Sequence, residues 1–237
     1  MNESLLKISD LTKSYGNGNF TLGPISLSIS KGEAAALLGK NGAGKTTLFQ
    51  ITTGNTRADE GAVEISGRKM TPENFQLKRK IGYLPQHLEL PKWVSGIEIL
   101  KYAIKLYKLE DPDNLLQKSL KYWDCQDFAE KPLASCSHGM QKRLGLALAT
   151  IHDPPLLILD EPFSGLDLFH IKALEDLIFQ RKEKMHSSII CTHIAPYAAK
   201  LCDSAFIIEN GKIESLESWK EGDYVSKIKK MEARFFS

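Results

Sequence analysis

GKNGAGKTT, residues 39–47, decides how the rest of this chain is read. It fits the spacing G-x-x-x-x-G-K-[ST], with Gly39, Gly44, Lys45 and Thr46 in the specified places. The run before it, 33–38, reads as a short apolar strand, and a helix should start near Lys45 and end near Gly54. Strand, glycine-rich turn and helix start, in that order, make an anion cradle. The glycines let main-chain N–H groups turn inward, and the helix start adds a favourable dipole. Gly39, Asn41, Gly42, Ala43, Gly44, Lys45, Thr46 and Thr47 are therefore the expected nucleotide contacts. Within this set Lys45 reaches the β- and γ-phosphates and Thr46 holds Mg²⁺ through its hydroxyl.

A second element must hold the metal and supply chemistry. LLILDEP, residues 156–162, places Asp160 and Glu161 at the end of an apolar strand, where open parallel sheets have their ligand crevices. Asp160 is the candidate Mg²⁺ partner and Glu161 the candidate base that orients and deprotonates water. Taken alone, the two carboxylates equally suit the start of a turn before Pro162; together with Lys45 they point to a site.

The pattern on either side of these motifs is that of an α/β protein. Ile25, Leu27 and Ile29 alternate with serines, as in a half-buried strand. From Val94 to Phe128 the period becomes helical, with Ile97, Leu100, Ile104 and Leu109 set among lysines. Strand and helix signals then alternate again, and Asn210-Gly211 marks a hairpin. Alternation of this kind predicts a largely parallel central sheet. The lysine-rich tail from Gly222 reads as a short or frayed helix with a solvated face.

Composition narrows the function classes. Lys and Arg total 31 against 29 Asp and Glu, a formal net charge of +2, which argues against a dedicated nucleic-acid binder. Cys125, Cys136, Cys191 and Cys202 show no CxxC spacing and read as reduced thiols of a cytoplasmic protein. The first ten residues lack the pattern of a signal peptide, and no apolar run approaches the length of a membrane span. Work at a membrane would need spans from another chain.

At this point the ordered set of motifs resembles the ATP-binding cassette (ABC) ATPases, the nucleotide-binding subunits of ABC transporters, over nearly the whole chain. The resemblance implies a P-loop NTPase core with an N-terminal antiparallel β subdomain and a helical subdomain inserted between the glutamine loop and the signature. Residues 1–86 and 135–237 would be the core, and 87–134 the helical subdomain. Tyr15 in TKSYG resembles the aromatic residue that stacks on adenine. Gln86 in YLPQH is similar to the glutamine that touches Mg²⁺ and the attacking water and links the site to the membrane partner. Asp167, closing SGLD, resembles the loop that crosses to the opposite subunit, and His193 in CTHI the histidine that contacts the γ-phosphate. Each has a plainer reading alone: a packing aromatic, a strand-end cap, a helix cap, a satisfied histidine.

SCSHGMQKRLGLALA, residues 135–149, completes the set. In the family the serine and second glycine of an LSGGQ-type signature bind the γ-phosphate of ATP held by the other subunit, and the resemblance gives Ser137 and Gly139 that role. Cys136, His138 and Met140 depart from the pattern, and Ser137 also suits the cap of an amphipathic helix. The implied cofactors are ATP and Mg²⁺. The implied partners are integral membrane permease subunits and a second cassette, a homodimer in the ATP state, without nucleic acid. The chain would then be peripheral on the inner face of the cell membrane. The S-x-G-M-x-x-R-L-G-L-A-L-A run is more similar to cassettes serving exporters than importers. Two other readings compete: a non-transport cassette acting as an assembly or scaffold factor, and a small-metabolite kinase, which leaves Ser137, Gly139 and His193 without a purpose.

Overall fold

Strand β3 (Ala34–Leu38) is buried at every position, as β7 (Leu156–Asp160) and β8 (Ser187–Cys191) are. Strands with no solvent face belong in the middle of a sheet covered on both sides. The computed structural model, which describes residues 3–16, 20–216 and 219–235, places them there. The central sheet runs β10-β9-β3-β8-β7-β6, with β6 (Ile81–Leu84), β9 (Ser204–Glu209) and β10 (Lys212–Ser215) completing it. All its pairings are parallel except β9 with β10, the hairpin turned by Asn210 (φ 49°) and Gly211 (φ 76°). Both positive angles are those of the tight turn that Asn-Gly favours.

Alternation along these strands divides the core in two. Ala34, Ala36, Leu38, Leu157 and Leu159 face one cluster, and Ala35, Leu37, Leu156 and Ile158 face the other. The second cluster is closed by helix α1 (Lys45–Thr52) and by an antiparallel sheet of order β2-β1-β4-β5. Its strands are β1 (Ser4–Tyr15), β2 (Phe20–Ser30), β4 (Glu60–Ile65) and β5 (Arg68–Lys69). A short helix α2 (Phe75–Lys78) leads into β6.

Helices cover the first cluster. Between β6 and β7 lie α3 (Gly96–Tyr107), α4 (Pro112–Tyr122) and α5 (His138–Thr150). Ser95 and Glu98 form a capping box at the start of α3, and Pro112 opens α4, where its missing N–H costs nothing. Trp123, 1% exposed, closes α4 and donates its indole N–H to Thr150 Oγ1 at 3.3 Å. Helices α6 (Leu168–Glu183) and α7 (Ala195–Leu201) follow β7 and β8.

The tail forms a helix, one of the forms expected of it, and adds a buried position to the exposed face. Residues Tyr224–Phe235 form helix α8, which lies on α7 and places Met231 inside the first core cluster, 2% exposed. Met231 is the inward position, which the surrounding lysines mask in composition. Trp219 donates its indole N–H to the Cys202 carbonyl at 3.0 Å beside it. All four cysteines are buried and unpaired. Among the described residues no helix is long and apolar enough to cross a membrane.

Candidate nucleotide site

Four parallel strands end at the same edge of the sheet, and each is followed by a residue singled out above. The phosphate loop follows β3, Gln86 follows β6, Glu161 follows β7, and His193 follows β8. Residues separated by more than a hundred positions are brought together in this way, at the edge where such sheets place ligands.

The loop itself is set by backbone geometry. Gly44 stands at the N-cap of α1 with φ 109°, and a Cβ there would lie 2.7 Å from Leu22 Cδ1. Any side chain would therefore be strained and displaced. No side chain caps α1, so its first N–H groups are left to the loop's concave side. Lys45 folds over that side, donating to the Gly39 carbonyl at 2.6 Å and the Lys40 carbonyl at 3.0 Å. A cavity of about 240 Å³ runs along the flank formed by residues 39–43 and 207–210. Tyr15 pairs across the antiparallel sheet with Phe20, whose ring is 3.0 Å from where a Gly44 Cβ would stand. Tyr15 is thus carried to the loop's side of the molecule, 44% exposed, with the Lys13 ammonium 5.7 Å from its ring centre.

Asp160 is 4% exposed, and burial pushes its carboxyl above the ordinary range. A hydrogen bond with Cys191 and the charges of Lys45 and Lys142 act the other way. Burial and the nearby Asp160 likewise raise the Tyr83 hydroxyl and the Cys191 thiol. The Asp160 carboxylate and the Thr46 hydroxyl at the start of α1 are both hard oxygen donors of the kind that suits a magnesium ion. Among the described residues no group of three or more His, Cys, Asp and Glu could hold a metal on its own.

Glu161 adopts a left-handed conformation, φ 47°. Its N–H donates to the Cys191 carbonyl at 2.9 Å, and its carboxylate Oε1 lies 2.9 Å from His193 Nδ1. The carboxylate side is sheltered, at 12% exposure, whereas the imidazole is 72% exposed. Gln86 is exposed, and its carbonyl accepts from Lys142 Nζ at 3.2 Å.

The signature corner is built on the start of α5. Ser137 Oγ caps α5 by accepting from the Met140 N–H at 3.2 Å, and the Met140 sulfur accepts from the Ser137 N–H at 3.3 Å. A methionine takes the place that a glutamate or glutamine fills in a capping box. Gly139 lies against the SGLD loop so closely that a Cβ on it would be 2.6 Å from the Gly165 carbonyl. Among the described residues no hydrogen bond or ion pair joins Ser137 or Gly139 to Lys45, Thr46 or Asp160.

The residues 22–164 match the family model described as ABC transporter, more than half of the chain. The chain belongs to the ABC transporter family. It is 34% identical to an ABC transporter ATP-binding protein of Methanocaldococcus jannaschii, over 87% of this chain and 75% of that protein. It is 33% identical to the lantibiotic transport ATP-binding protein SrtF of Streptococcus pyogenes, over 88% of this chain and 89% of that one. The solved structure of an ATP-binding subunit of an ABC transporter superposes with a TM-score of 0.84 at 28% identity, over 96% of this chain and 99% of that chain. This cassette is thus an ATP-binding subunit of an ABC transporter, with the P-loop NTPase fold.

Two residues of the cassette escape a motif reading. Lys142, 4% exposed, sits between the Gln86 and Glu161 carbonyls. Burial pulls its ammonium below the ordinary lysine range, against the opposing pull of Asp160 and Glu161. His170, also buried, joins Asp167 to the signature helix: its Nδ1 is 2.7 Å from Asp167 Oδ1, and its Nε2 is 3.1 Å from Arg143 Nη1. The carboxylate requires a proton on Nδ1, so Nε2 accepts from the guanidinium. Arg143 in turn donates to the carbonyl and carboxylate of Asp124, at 2.6 and 2.9 Å. Asp167 also caps α6 by accepting from the His170 N–H at 3.0 Å, which holds its carboxyl below the usual range. The available signal was phase: Lys142 falls on the same helical face as buried Leu146 and Ala149, where a lysine is out of place.

Proposed function

We propose that this cassette hydrolyses ATP with Mg²⁺ as one of two identical copies, and that hydrolysis drives an exporter through separate membrane subunits. The observation that carries the reading is the shared edge at which the Lys45 loop, Gln86, Asp160 and the Glu161–His193 pair converge. The residues 39–47 cradle the phosphates, Lys45 turns from its own carbonyls to the β- and γ-phosphates, and Tyr15 offers a ring for the adenine. Thr46, Asp160 and Gln86 would hold Mg²⁺. When bound, the ion neutralises charge on the phosphate oxygens as the terminal phosphoryl group is transferred.

Glu161 orients a water and takes its proton as the water oxygen bonds to the γ-phosphorus and the bond to the ADP oxygen breaks. ADP and inorganic phosphate are the products. The 2.9 Å contact to Glu161 fixes the His193 ring by its Nδ1 and leaves Nε2 for the terminal phosphate. Ser137 and Gly139 have their contacts with Met140 and Gly165, with no hydrogen bond to the phosphate loop among the described residues, and a second copy closing head to tail would lid each nucleotide with its partner's α5 start. Asp167, on the loop beside Gly139, would cross toward the same partner. The membrane partner would place the cassette at the inner face of the cell membrane. The likeness of the run 137–149 to exporter cassettes, and the lantibiotic transport relative, favour outward movement of a peptide or similar small molecule.

Glu161→Gln tests the reading. The variant should keep ATP affinity, lose turnover by at least about a hundredfold, and accumulate an ATP-dependent dimer in gel filtration. Near-normal turnover removes Glu161 as base. A variant that binds ATP and never pairs removes the two-copy arrangement.

A further inference from the structure

Lys142 is buried and makes no ion pair among the described residues, although the charges of Asp160 and Glu161 act on it. Its ammonium instead donates to two main-chain carbonyls, Gln86 at 3.2 Å and Glu161 at 3.1 Å. These carbonyls belong to separate segments, one leaving β6 and the other leaving β7, while Lys142 itself is on α5. One cation therefore ties α5 to the segments that leave two neighbouring strands of the sheet.

The Glu161 contact has particular weight. A non-glycine residue keeps a left-handed conformation only where its surroundings hold it there. At φ 47°, Glu161 is held through both peptide groups. Its N–H is fixed to the Cys191 carbonyl on β8, and its C=O is fixed by Lys142. The direction of its carboxylate toward His193 follows from that backbone. A cavity of about 80 Å³ beside Lys142, lined by Gln86, His87, His138 and Gln141, leaves room for the Gln86 segment and the helix start to shift relative to each other.

We infer that Lys142 is a positioning residue through which the start of α5 governs the alignment of Glu161 and Gln86 in its own chain. This rests on the two-copy reading for its consequence. Ser137 and Gly139 would contact the nucleotide on the partner's loop, and Lys142 lies little more than one turn further along the same rigid helix. Closure of one site would then set the geometry of hydrolysis in the other, which is coupling between sites carried by a named contact.

The test compares the full chain with Lys142→Met, which keeps the length and removes the donors, and Lys142→Arg, which restores them. Lys142→Met is expected to lower kcat by about 10- to 100-fold, because a misdirected base costs rate rather than binding. KM for ATP should stay within about twofold, cooperativity in ATP should be lost, and Lys142→Arg should recover much of kcat. Wild-type kcat and cooperativity in Lys142→Met, a loss confined to KM, or an arginine variant worse than the methionine one would each overturn the inference. Hydrogen exchange on the nucleotide-free chain gives a second readout that does not depend on hydrolysis. Lys142→Met should speed exchange in the segments 84–88 and 158–164 and leave α1 unchanged. Unchanged exchange in those segments overturns the coupling whatever the chain does with ATP, whereas faster exchange in a chain without ATP turnover would sink the proposed hydrolysis alone.

Discussion

The phosphate loop and the signature corner are both helix starts that carry glycine, and they are finished in opposite ways. At α1 the cap is Gly44, with no side chain to occupy the first N–H groups, and Lys45 closes over its own loop. At α5 the cap is Ser137, whose hydroxyl already serves Met140 N–H, and the exposed corner rests on the SGLD loop of a distant segment. The first is complete within nine consecutive residues. The second takes its position from tertiary contacts and, on the proposed reading, its purpose from another molecule. Local sequence can therefore specify the first almost alone, whereas the second depends on everything behind it.

The largest effect should come from breaking the self-contained side. Lys45→Ala removes the charge that reaches the phosphates and should weaken ATP binding by about 2–4 kcal/mol, or ~30- to 1,000-fold, by calorimetry. The folded structure should barely change, since among the described residues the Lys45 ammonium bonds only to loop carbonyls. Equal ATP affinity in this variant would mean the loop grips nucleotide through its backbone only.

Acid should act on the signature side, at the far end of α5. His152, just beyond that helix, donates Nε2–H to the Ile81 carbonyl at 3.2 Å and stacks on Tyr107 at 4.2 Å, with its Nδ1 buried and unpartnered. Burial pulls its imidazole down to about 4. The unfolded chain therefore takes up this proton first, so the stabilisation is present above the ordinary histidine value and is lost as pH falls toward 4. Between pH 7 and pH 5 this group should cost about 2 kcal/mol of stability. Burial lowers His186 in the same sense, while the raised Asp160 carboxyl acts oppositely. Denaturant unfolding of the wild type against His152→Phe, which keeps the stacked ring, isolates the contribution. An equal pH slope in the two proteins would remove His152 as the cause.

Ser137→Ala sharpens the contrast at the corner itself. Losing the cap should cost about 1 kcal/mol of stability and lower ATP turnover by about tenfold. Affinity of the isolated chain for ATP, measured below the concentration at which copies pair, should not move. A fall in that affinity would place Ser137 at its own chain's nucleotide and undo the separation of the two corners.

The same contrast explains what the sequence made legible. The strand–loop–helix unit at 33–52, the alternating β2, the buried β7 and the Asn210-Gly211 hairpin are written in neighbouring residues, and each forms as expected. Lys142 and His170 are not legible in that way. Lys142 meets Gln86 and Glu161 across 56 and 19 residues, and His170 meets Arg143 across 27. Their partners exist only once the parallel sheet has aligned its strand ends. The tail was legible as a helix with an exposed face, but its burial turns on Met231, a position that only packing identifies.

The smallest effect is expected where the sequence departs most visibly from its family. His138 occupies the first turn of α5, exposed, with its ring beside Gly165 and 6.5 Å from the ring of His87. In the proposed arrangement the groups offered to the partner's phosphate are the Ser137 hydroxyl and the Gly139 N–H, and neither depends on the imidazole. His138→Gly trades a poor helix former for a worse one at the first position of the helix, a penalty of about 0.5 kcal/mol or less. Turnover should therefore stay within about twofold of the wild type. A tenfold fall would show that the imidazole has joined the phosphate-facing set.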